Sequence, residues 1–303
     1  MILGIDHGYG LIKTVHTVFR SGIKKVPTIP PFMHNILNYE GSYYAVGQTR
    51  QNHKADKTLS DDYYLLTLAA IAEELKKIGT NHADQVILAT GLPYSFMGSQ
   101  KDSFKEYLLK NKNIRFNYEG LAYRVNLEDV YVFPQGFPII APDLDKYQGN
   151  VTVVDIGSRT VDVLTFRSGK VQYDKSFSID KGGVIDCMGQ IREAFVSKYQ
   201  IQPDEQVVQD FLAGGEPKGM TEEQGQFVAE IVEIYLQEVL SSLDARGIMD
   251  FTTVVYCGGG AGILKRFGEG LYDKDFSRIV SDIHANAKGY EQLCRSVMGG
   301  GRP

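Results

Sequence analysis

Asp155 stands near the end of a β-branched and aliphatic run, 151–156, and a second apolar alternation begins at Val161. This order predicts a β-hairpin with a tight turn of small and polar residues. The residues of that turn are Gly157, Ser158, Arg159 and Thr160. Consecutive backbone N–H groups in such a turn can bind phosphate, and a carboxylate at the strand end can hold the waters of a metal ion. Because Asp-x-Gly turns are common, one copy alone would indicate only a connection between strands.

The same arrangement opens the chain. Asp6 ends an apolar run, and a second short strand carrying Lys13 follows a glycine-rich turn. The residues of this turn are Gly8, Tyr9 and Gly10. Aligning Asp6 with Asp155 also aligns Lys13 with Asp162. Two equivalent hairpins predict two related domains that face one another.

Three side chains beside these turns suggest phosphate chemistry. Lys13 can bridge β- and γ-phosphate oxygens and neutralise charge during transfer, or it is a solvated lysine on a strand. Gln135 follows the strand 129–133, where its amide can orient an attacking water or bond local backbone. Asp162 is a second carboxylate near the site or a turn cap. We take Gln135, Asp155 and Lys13 as the candidate catalytic residues, and because an amide is a weak base we expect slow hydrolysis.

Two further glycine motifs can bring backbone close to a ligand. Gly182 and Gly183 precede a predicted helix, so a ligand can approach the helix N-terminus. A glycine run after the predicted strand 252–257 lets backbone pass a ribose and an α-phosphate without a Cβ clash. The residues of this run are Gly258, Gly259, Gly260 and Ala261. A lone glycine run more often forms only a loop.

Oxygen ligands predominate among these candidates, and the histidines show no ligand spacing. Mg²⁺ is therefore the expected metal, held by Asp6 and Asp155 through its waters. The expected ligand is ATP or GTP, and the sequence does not decide between the two bases.

Composition limits the class of protein. The chain has 303 residues, 43% hydrophobic and 23% charged, which is ordinary for a globular protein. A net charge of −5 and a pI near 5.7 argue against direct nucleic-acid binding. The three cysteines are far apart and predict buried thiols, and no apolar run is long enough to span a membrane. We therefore expect a cytoplasmic protein that makes no membrane contact.

The periodicity predicts α/β organisation in both halves. In the first half, Ile23–Ile29 is expected to complete an antiparallel meander, followed by a polar insertion at about 34–60, a helix ending at Gly79 and a strand over 85–91. In the second half, a third strand is expected over 171–179. A long helix begins with the capping box Thr221–Gln224 and ends at Gly247. Its predicted buried stripe is Phe227, Ile231, Ile234, Tyr235 and Val239.

These motifs together resemble the actin and sugar-kinase ATPase superfamily. The region around Asp6 resembles its first phosphate loop, that around Asp155 its second, and 258–261 its adenosine loop. The segment 133–136 is similar to its first interdomain connection. The opening motif and Asn286-Ala-Lys-Gly-Tyr290 are similar to ParM-like prokaryotic actin-like proteins of the plasmid segregation type.

The resemblance implies an actin-like (ribonuclease H-like) α/β fold with two related domains, each a mixed five-stranded sheet flanked by helices. We expect domain I at 1–145, with a C-terminal helix 286–303 packed back on it. Domain II is expected at 146–285, with a helical insertion at about 200–247.

The resemblance also implies a function. Such proteins bind ATP-Mg between the two domains, polymerise into filaments, and hydrolyse ATP after assembly. The implied partners are further copies of the chain and a DNA-binding adaptor on a plasmid centromere. A sugar or metabolite kinase and a non-polymerising chaperone-like ATPase of the same superfamily are the alternatives. Tyr9, Gln135 and Arg159 are departures: many relatives carry a small hydroxyl residue at Tyr9, many ParM proteins carry glutamate at Gln135, and Arg159 is bulky for a phosphate turn.

Overall fold

The computed structural model describes residues 1–48, 56–147, 149–215, 219–250 and 252–300. Parts of the predicted insertion at 34–60, of the predicted helical insertion at about 200–247 and of the predicted terminal helix 286–303 lie outside these residues. The chain divides into two compact units, Met1–Ala141 with His284–Pro303, and Pro142–Ile283. We call them unit 1 and unit 2.

The described residues form fifteen strands and eight α-helices. The strands are β1 Ile2–His7, β2 Leu11–Lys13, β3 Val18–Arg20, β4 Ile23–Val26, β5 Ile36–Tyr39, β6 Ser42–Val46, β7 His82–Leu92, β8 Asn113–Tyr118, β9 Leu121–Pro134, β10 Asn150–Ile156, β11 Val161–Arg167, β12 Lys170–Val171, β13 Phe177–Ile179, β14 Thr252–Cys257 and β15 Ser277–Ile279. The helices are α1 Asp62–Ile78, α2 Tyr94–Leu108, α3 Phe137–Ile140, α4 Val184–Tyr199, α5 Glu205–Leu212, α6 Glu222–Asp244, α7 Gly259–Phe267 and α8 Ala285–Met298. No helix among the described residues has the length and apolar character needed to cross a membrane.

Unit 1 is built on a mixed sheet in the order β3-β2-β1-β7-β9-β8-β5-β6-β4. Its centre is parallel, because β7 pairs in parallel with both β1 and β9. The mixed sheet was predicted, but the expected five strands are nine. Part of the excess comes from the region predicted as an insertion, whose strands β5 and β6 extend the same sheet through β8.

The predicted meander is wrong in its third strand. β3, not Ile23–Ile29, pairs with β2, and β4 pairs instead with β6. The chain turns earlier than expected because Thr14 N–H donates to the Thr17 carbonyl at 2.9 Å and the Thr14 hydroxyl accepts from Thr17 N–H at 2.9 Å. This turn contains no glycine, proline or asparagine, so the usual turn signal was missing.

Helices cover both faces of the unit 1 sheet. Most residues of α1 are buried, and it ends at Gly79, which has the left-handed φ of 82°. On the other side, α8 packs against the β1–β7 region: Gly4 N–H donates to Glu291 Oε1 at 3.1 Å. A Cβ at Gly4 would lie 2.0 Å from the Ala287 carbonyl oxygen, so only glycine permits this approach.

Unit 2 has a sheet in the order β12-β11-β10-β14-β15, with β13 also paired to β11. β10 is antiparallel to β11 and parallel to β14. The third strand predicted at 171–179 is interrupted by a 3-10 turn, Tyr173–Lys175. The Ser176 hydroxyl accepts from Thr165 N–H at 3.1 Å and so replaces a backbone partner in the ladder.

Helix α6 begins with the predicted capping box, in which Thr221 and Gln224 exchange hydrogen bonds of 2.9 and 3.2 Å. It ends at Asp244, short of the predicted Gly247. Four members of the predicted apolar stripe pack in the unit 2 core, but Ile234 is 54% exposed. The prediction for Ile234 is therefore wrong, because this side chain lies on the solvent side of the helix.

Candidate functional site

The first hairpin in unit 1 places a lysine on a buried carboxylate. Asp6 on β1 and Lys13 on β2 are direct cross-strand partners, so both side chains project from the same face. Lys13 Nζ lies 3.2 Å from Asp6 Oδ2, and the two residues are only 9% and 2% exposed. Because both residues are buried, this ion pair fixes the two side chains relative to one another.

Gln135 contacts the same carboxylate from the end of β9. Its backbone N–H donates to the Leu92 carbonyl at 2.9 Å, which fixes the residue beside β7. Its side-chain Nε2 donates to Asp6 Oδ1 at 3.1 Å. Because an ionised carboxylate only accepts, the amide nitrogen faces Asp6, and the amide oxygen keeps its ability to accept a hydrogen bond from water. Asp6, Lys13 and Gln135 therefore form one cluster in unit 1.

The turn between β1 and β2 is braced from below by Ser21. Ser21 N–H donates to the Gly10 carbonyl at 3.0 Å, and its hydroxyl donates to the Tyr9 carbonyl at 2.5 Å. A Cβ at Gly8 would lie 2.6 Å from the Leu11 carbonyl oxygen, so the hairpin closes tightly there. Gly8, Tyr9 and Gly10 thus form a turn of fixed backbone next to Asp6.

Two buried residues of this region were missed by the sequence analysis. Lys57 is 2% exposed and donates to the His7 carbonyl at 2.5 Å, with its ammonium 5.2 Å from the Tyr9 ring centroid. Asn286 on α8 accepts from Gly136 N–H at 3.0 Å and so fixes the backbone after Gln135. Lys57 follows a polar, turn-rich stretch and offered no signal, whereas Asn286 lay in a motif quoted for its resemblance only.

His7 is a neutral structural residue beneath the turn. Its Nδ1 lies 2.7 Å from the Thr90 hydroxyl and its Nε2 lies 2.8 Å from the Thr67 hydroxyl, which itself donates to the Tyr63 carbonyl. Thr67 must therefore accept, so Nε2 carries the proton and Nδ1 accepts. Burial, followed by the charge of Lys57, lowers the pKa of His7 from 6.5 to about 3.

The second hairpin, in unit 2, repeats the register of the first. Asp155 on β10 and Asp162 on β11 are cross-strand partners and are 5% and 3% exposed. Gly157 N–H donates to the Thr160 carbonyl at 2.9 Å and closes the turn. The Asp162 carboxylate accepts from the Thr160 hydroxyl at 2.9 Å and from the Ser178 hydroxyl. These contacts give Asp162 a bracing role within the turn.

Helix α4 starts directly against this turn. The N–H groups of Gly183, Val184 and Ile185 donate to the carbonyls of Arg159, Gly157 and Ser158 at 3.1, 3.0 and 2.8 Å. A Cβ at Gly183 would lie 2.4 Å from the Arg159 carbonyl carbon. The glycine therefore serves the packing of helix on hairpin, and its approach to a ligand stays a prediction.

Arg159 leaves a buried donor at this turn. The residue is only partly exposed, and its buried Nε has no hydrogen-bond partner among the described residues. A buried donor of this kind costs free energy unless an acceptor is supplied. A phosphate oxygen is a suitable acceptor for a guanidinium group.

The glycine run after β14 lies against Asp155. A Cβ at Gly258, whose φ is 81°, would lie 2.2 Å from Asp155 Oδ1, and one at Gly260 would lie 2.1 Å from Ile156 Cγ2. Gly259 has no such neighbour within 4 Å, and Ala261 is fully buried. Gly259, Gly260 and Ala261 belong to the first turn of α7 rather than to a loop.

A cavity of about 610 Å³ opens in unit 2 between β11, β13, α4 and α6. Gly182 lines it, together with the polar side chains of Asp186, Gln190 and Glu238. Its size suits a small organic molecule.

Each hairpin has a carboxylate that suits a hard cation held through water. Asp6 and Asp155 each supply a buried carboxylate at a strand end. The described residues contain no group of three or more His, Cys, Asp or Glu side chains that could hold a metal ion by themselves. Mg²⁺ commonly binds through one or two carboxylates together with substrate phosphates and water, so both aspartates suit that mode.

Two models of protein families match the chain, one in each half. A family model described as "Actin like proteins N terminal domain" matches residues 4–137, and one described as "Archaeal actin homologue MreB-like, C-terminal" matches residues 153–269. No curated protein sequence matches the chain significantly.

Solved structures show the same fold along the whole chain. Ta0583, an archaeal actin homologue solved in complex with ADP, is 22% identical with a TM-score of 0.76, over 97% of this chain and 99% of that one. The corresponding values are 19%, 0.76, 97% and 99% for a 15-stranded ParM filament from Clostridium botulinum, and 19%, 0.72, 99% and 98% for apo psk41 ParM. With the two family models matched in order, the chain consists of an actin-like N-terminal domain and an MreB-like C-terminal domain, and it has the actin-like fold.

Proposed function

We propose that this protein is a nucleotide-dependent, filament-forming ATPase. The observation that carries the proposal is the Asp6–Lys13–Gln135 cluster. In it the buried Asp6 carboxylate contacts the Lys13 ammonium at 3.2 Å and the Gln135 amide nitrogen at 3.1 Å. A cation and a water-positioning amide are two of the parts that nucleotide hydrolysis requires. The ADP complex of Ta0583 supports a nucleotide ligand, and the filament of the Clostridium botulinum ParM supports assembly.

In this proposal one ATP contacts both hairpins. Backbone N–H groups of Gly8, Tyr9 and Gly10 in the first turn, and of Ser158, Arg159 and Thr160 in the second, bind the phosphate chain. Lys13 neutralises the β- and γ-phosphates, and the guanidinium of Arg159 supplies a further donor. The glycine run at 258–260 passes the ribose, and the base enters the cavity beside Gly182.

Asp6 and Asp155 would hold Mg²⁺ through its waters, and the bound ion would supply charge neutralisation for the phosphates. Gln135 has its amide nitrogen on Asp6, so its oxygen is oriented to accept from the attacking water. An amide cannot take up the proton as a strong base does. Hydrolysis is therefore slow and follows assembly, when positioning is best.

The test is light scattering of the purified protein with ATP-Mg²⁺, and with GTP-Mg²⁺, while phosphate release is followed in the same sample. We expect scattering above a critical concentration and a later decay as phosphate appears. Asp155→Ala should abolish nucleotide-dependent assembly. A matched control is Asp174→Ala, which removes a carboxylate from the 3-10 turn and should assemble normally.

A protein that stays monomeric at tens of micromolar with either nucleotide, by sedimentation and electron microscopy, would contradict the filament proposal. Phosphate transfer to a small-molecule acceptor in such a monomer would instead identify a kinase.

We further propose that the filament moves plasmid DNA through a DNA-binding adaptor. The chain's net charge of −5 disfavours direct binding to the DNA backbone. Filaments should therefore not shift the anisotropy of a labelled plasmid fragment at physiological salt until a centromere-binding protein is added. Tight binding of bare DNA would remove the adaptor from the proposal.

A further inference from the structure

Two arginines stand side by side on the exposed face of the unit 1 sheet. Arg115 on β8 and Arg124 on β9 are direct cross-strand partners, and both are exposed. Directly opposed residues of this kind have Cβ atoms roughly 5 Å apart, and like charges there destabilise the sheet. Within the part of the chain that the structure describes, neither side chain forms an ion pair or a hydrogen bond.

The arginines line a cavity of about 430 Å³ together with several asparagine side chains. Asn38 and Asn117, which pair across β5 and β8, lie beside them. Glu40 is the one acidic residue among the described residues of the wall, and it forms no ion pair with either arginine there. The site is therefore a concave, positively charged surface that suits an acidic ligand.

A matching pair of acids lies on unit 2. Glu230 and Glu233 are exposed on α6, three residues apart, so their Cβ atoms are about 5–6 Å from one another. Among the described residues, neither carboxylate has an ion-pair or hydrogen-bond partner. Ile234 beside them is 54% exposed, which adds an apolar contact to the same ridge.

The two units carry formal charges of opposite sign, which supports the same pairing. Unit 1 contains 18 Lys and Arg against 14 Asp and Glu, a formal charge of +4. Unit 2 contains 14 against 23, a formal charge of −9. A chain with halves of opposite sign attracts further copies of itself in a head-to-tail sense, which builds open filaments when the contact does not close into a ring.

We propose that the Arg115–Arg124 surface of one copy binds the Glu230–Glu233 ridge of α6 in a second copy. The spacing of the arginines matches that of the glutamates, so each guanidinium can take one carboxylate, and two repulsive pairs become two attractive ones. This interface rests on the filament function proposed above and assigns one of its contacts.

The first experiment reverses the charges. Arg115→Glu with Arg124→Glu should raise the critical concentration for assembly about tenfold or more, because juxtaposed like charges at an interface cost several kcal/mol. Glu230→Arg with Glu233→Arg should do the same. The quadruple variant, with both pairs exchanged, should assemble within about threefold of wild type, because opposite charges again face one another. That rescue also shows that the variants fold.

The matched control is Lys101→Glu with Lys112→Glu, two exposed lysines of unit 1 outside the cavity. It changes the net charge of unit 1 by the same amount, so it measures the effect of overall charge alone, and it should raise the critical concentration by only about twofold to threefold, well below the effect of the arginine reversal.

The second experiment detects the contact directly. Copies carrying Asn117→Cys are mixed with copies carrying Ile234→Cys and treated with a short bismaleimide, since the three native cysteines are buried. A 117–234 cross-link between copies, identified by mass spectrometry, is expected at high protein concentration. It should disappear when Arg115→Glu and Arg124→Glu are added.

The outcomes separate the two proposals. Wild-type protein that does not assemble with ATP or GTP contradicts the proposed function, whereas assembly without the 117–234 cross-link, or unchanged by the arginine reversal, overturns only this interface. If the protein does not assemble and the 117–234 cross-link is also absent at high protein concentration, both the proposed function and the proposed interface are wrong. If instead the arginine pair binds a labelled DNA duplex and the reversal abolishes that binding, the occupant is nucleic acid and the proposal is wrong.

Discussion

Asp6 shows how one side chain ties together residues that are remote in sequence. Its two carboxylate oxygens accept from Lys13 and from Gln135, which lies 129 positions away. The sequence predicted all three residues as candidates, because Asp6 and Lys13 lie in the repeated hairpin motif and Gln135 follows a predicted strand. It did not predict that they share one carboxylate, since a cross-sheet contact depends on the order β1-β7-β9.

Replacing Gln135 tests its role in hydrolysis. We expect Gln135→Ala to leave assembly intact but to slow phosphate release on the order of tenfold or more, because the attacking water loses its acceptor. Phosphate release and light scattering are measured in the same sample. Gln206→Ala, which removes an exposed amide from α5, is the control and should release phosphate at the wild-type rate. Unchanged turnover in Gln135→Ala would remove this residue from the mechanism.

His7 should make the fold acid-sensitive. An unfolded histidine has a pKa near 6.5, whereas burial lowers the pKa of folded His7 to about 3. Between these values the unfolded chain binds the extra proton, so the free energy of unfolding falls as the pH falls, by up to about 1.4 kcal/mol per pH unit. The contribution is fully present above pH 6.5.

The variant His7→Gln keeps a donor and an acceptor without this titration. Between pH 7.5 and pH 5 it should lose about 2 kcal/mol less unfolding free energy than wild type, measured by urea denaturation. Parallel pH profiles for the two proteins would show that His7 does not control acid stability.

At the scale of elements, hairpins and caps were predicted well and pairing partners less well. Both Asp-x-Gly hairpins and the Thr221–Gln224 cap are local, so the sequence between their strands or within one helical turn specifies them. The exchange of Ile23–Ile29 for Val18–Arg20 was missed because two threonine hydroxyls, rather than glycine, make the turn. Lys57 was missed because its partners are brought to it by tertiary structure.

Two adjacent glycines at the junction of β14 and α7 allow the effects of packing and of ligand binding to be measured separately. Gly258→Ala should lower the unfolding free energy by about 3 kcal/mol, because its Cβ would collide with Asp155 and its φ is 81°. Gly259→Ala meets no such atom and should be as stable as wild type or slightly more so, since alanine favours a helix.

If the nucleotide passes this turn, Gly259→Ala should weaken ATP binding although the fold is intact. Urea denaturation and a fluorescent-nucleotide titration measure the two effects separately. Equal stability of both variants would contradict the close approach at Gly258, and wild-type affinity in Gly259→Ala would place the nucleotide elsewhere.

At the scale of the whole molecule, the prediction of two related domains rested on the repeated hairpin. Two hairpins with the same register indicated two related halves, and the family models match each half separately. The charge difference between the units became visible only once their boundaries were known, because residues 284–303 belong with the first unit. Whole-chain composition averages this difference away.

Opposite charges on the two units should make assembly sensitive to salt. We expect the critical concentration to rise several-fold between about 50 and 300 mM KCl, because exposed charges are screened over about 10 Å at 0.1 M. The charge-exchanged quadruple variant keeps opposite charges at the proposed contact but has unit charges of 0 and −5, so its critical concentration should rise less with salt than that of wild type. A critical concentration that does not change with salt would mean that apolar contacts dominate assembly.

The packing of α8 on β1 has a consequence for the order of folding during synthesis. Gly4 is made before any residue of unit 2, yet its partners Ala287 and Glu291 follow the whole of unit 2 in the chain. On the ribosome, unit 2 can therefore complete its core before unit 1 can. A chain interrupted before His284 would leave the apolar face of the unit 1 sheet that α8 covers exposed to solvent, and such an exposed apolar patch favours aggregation.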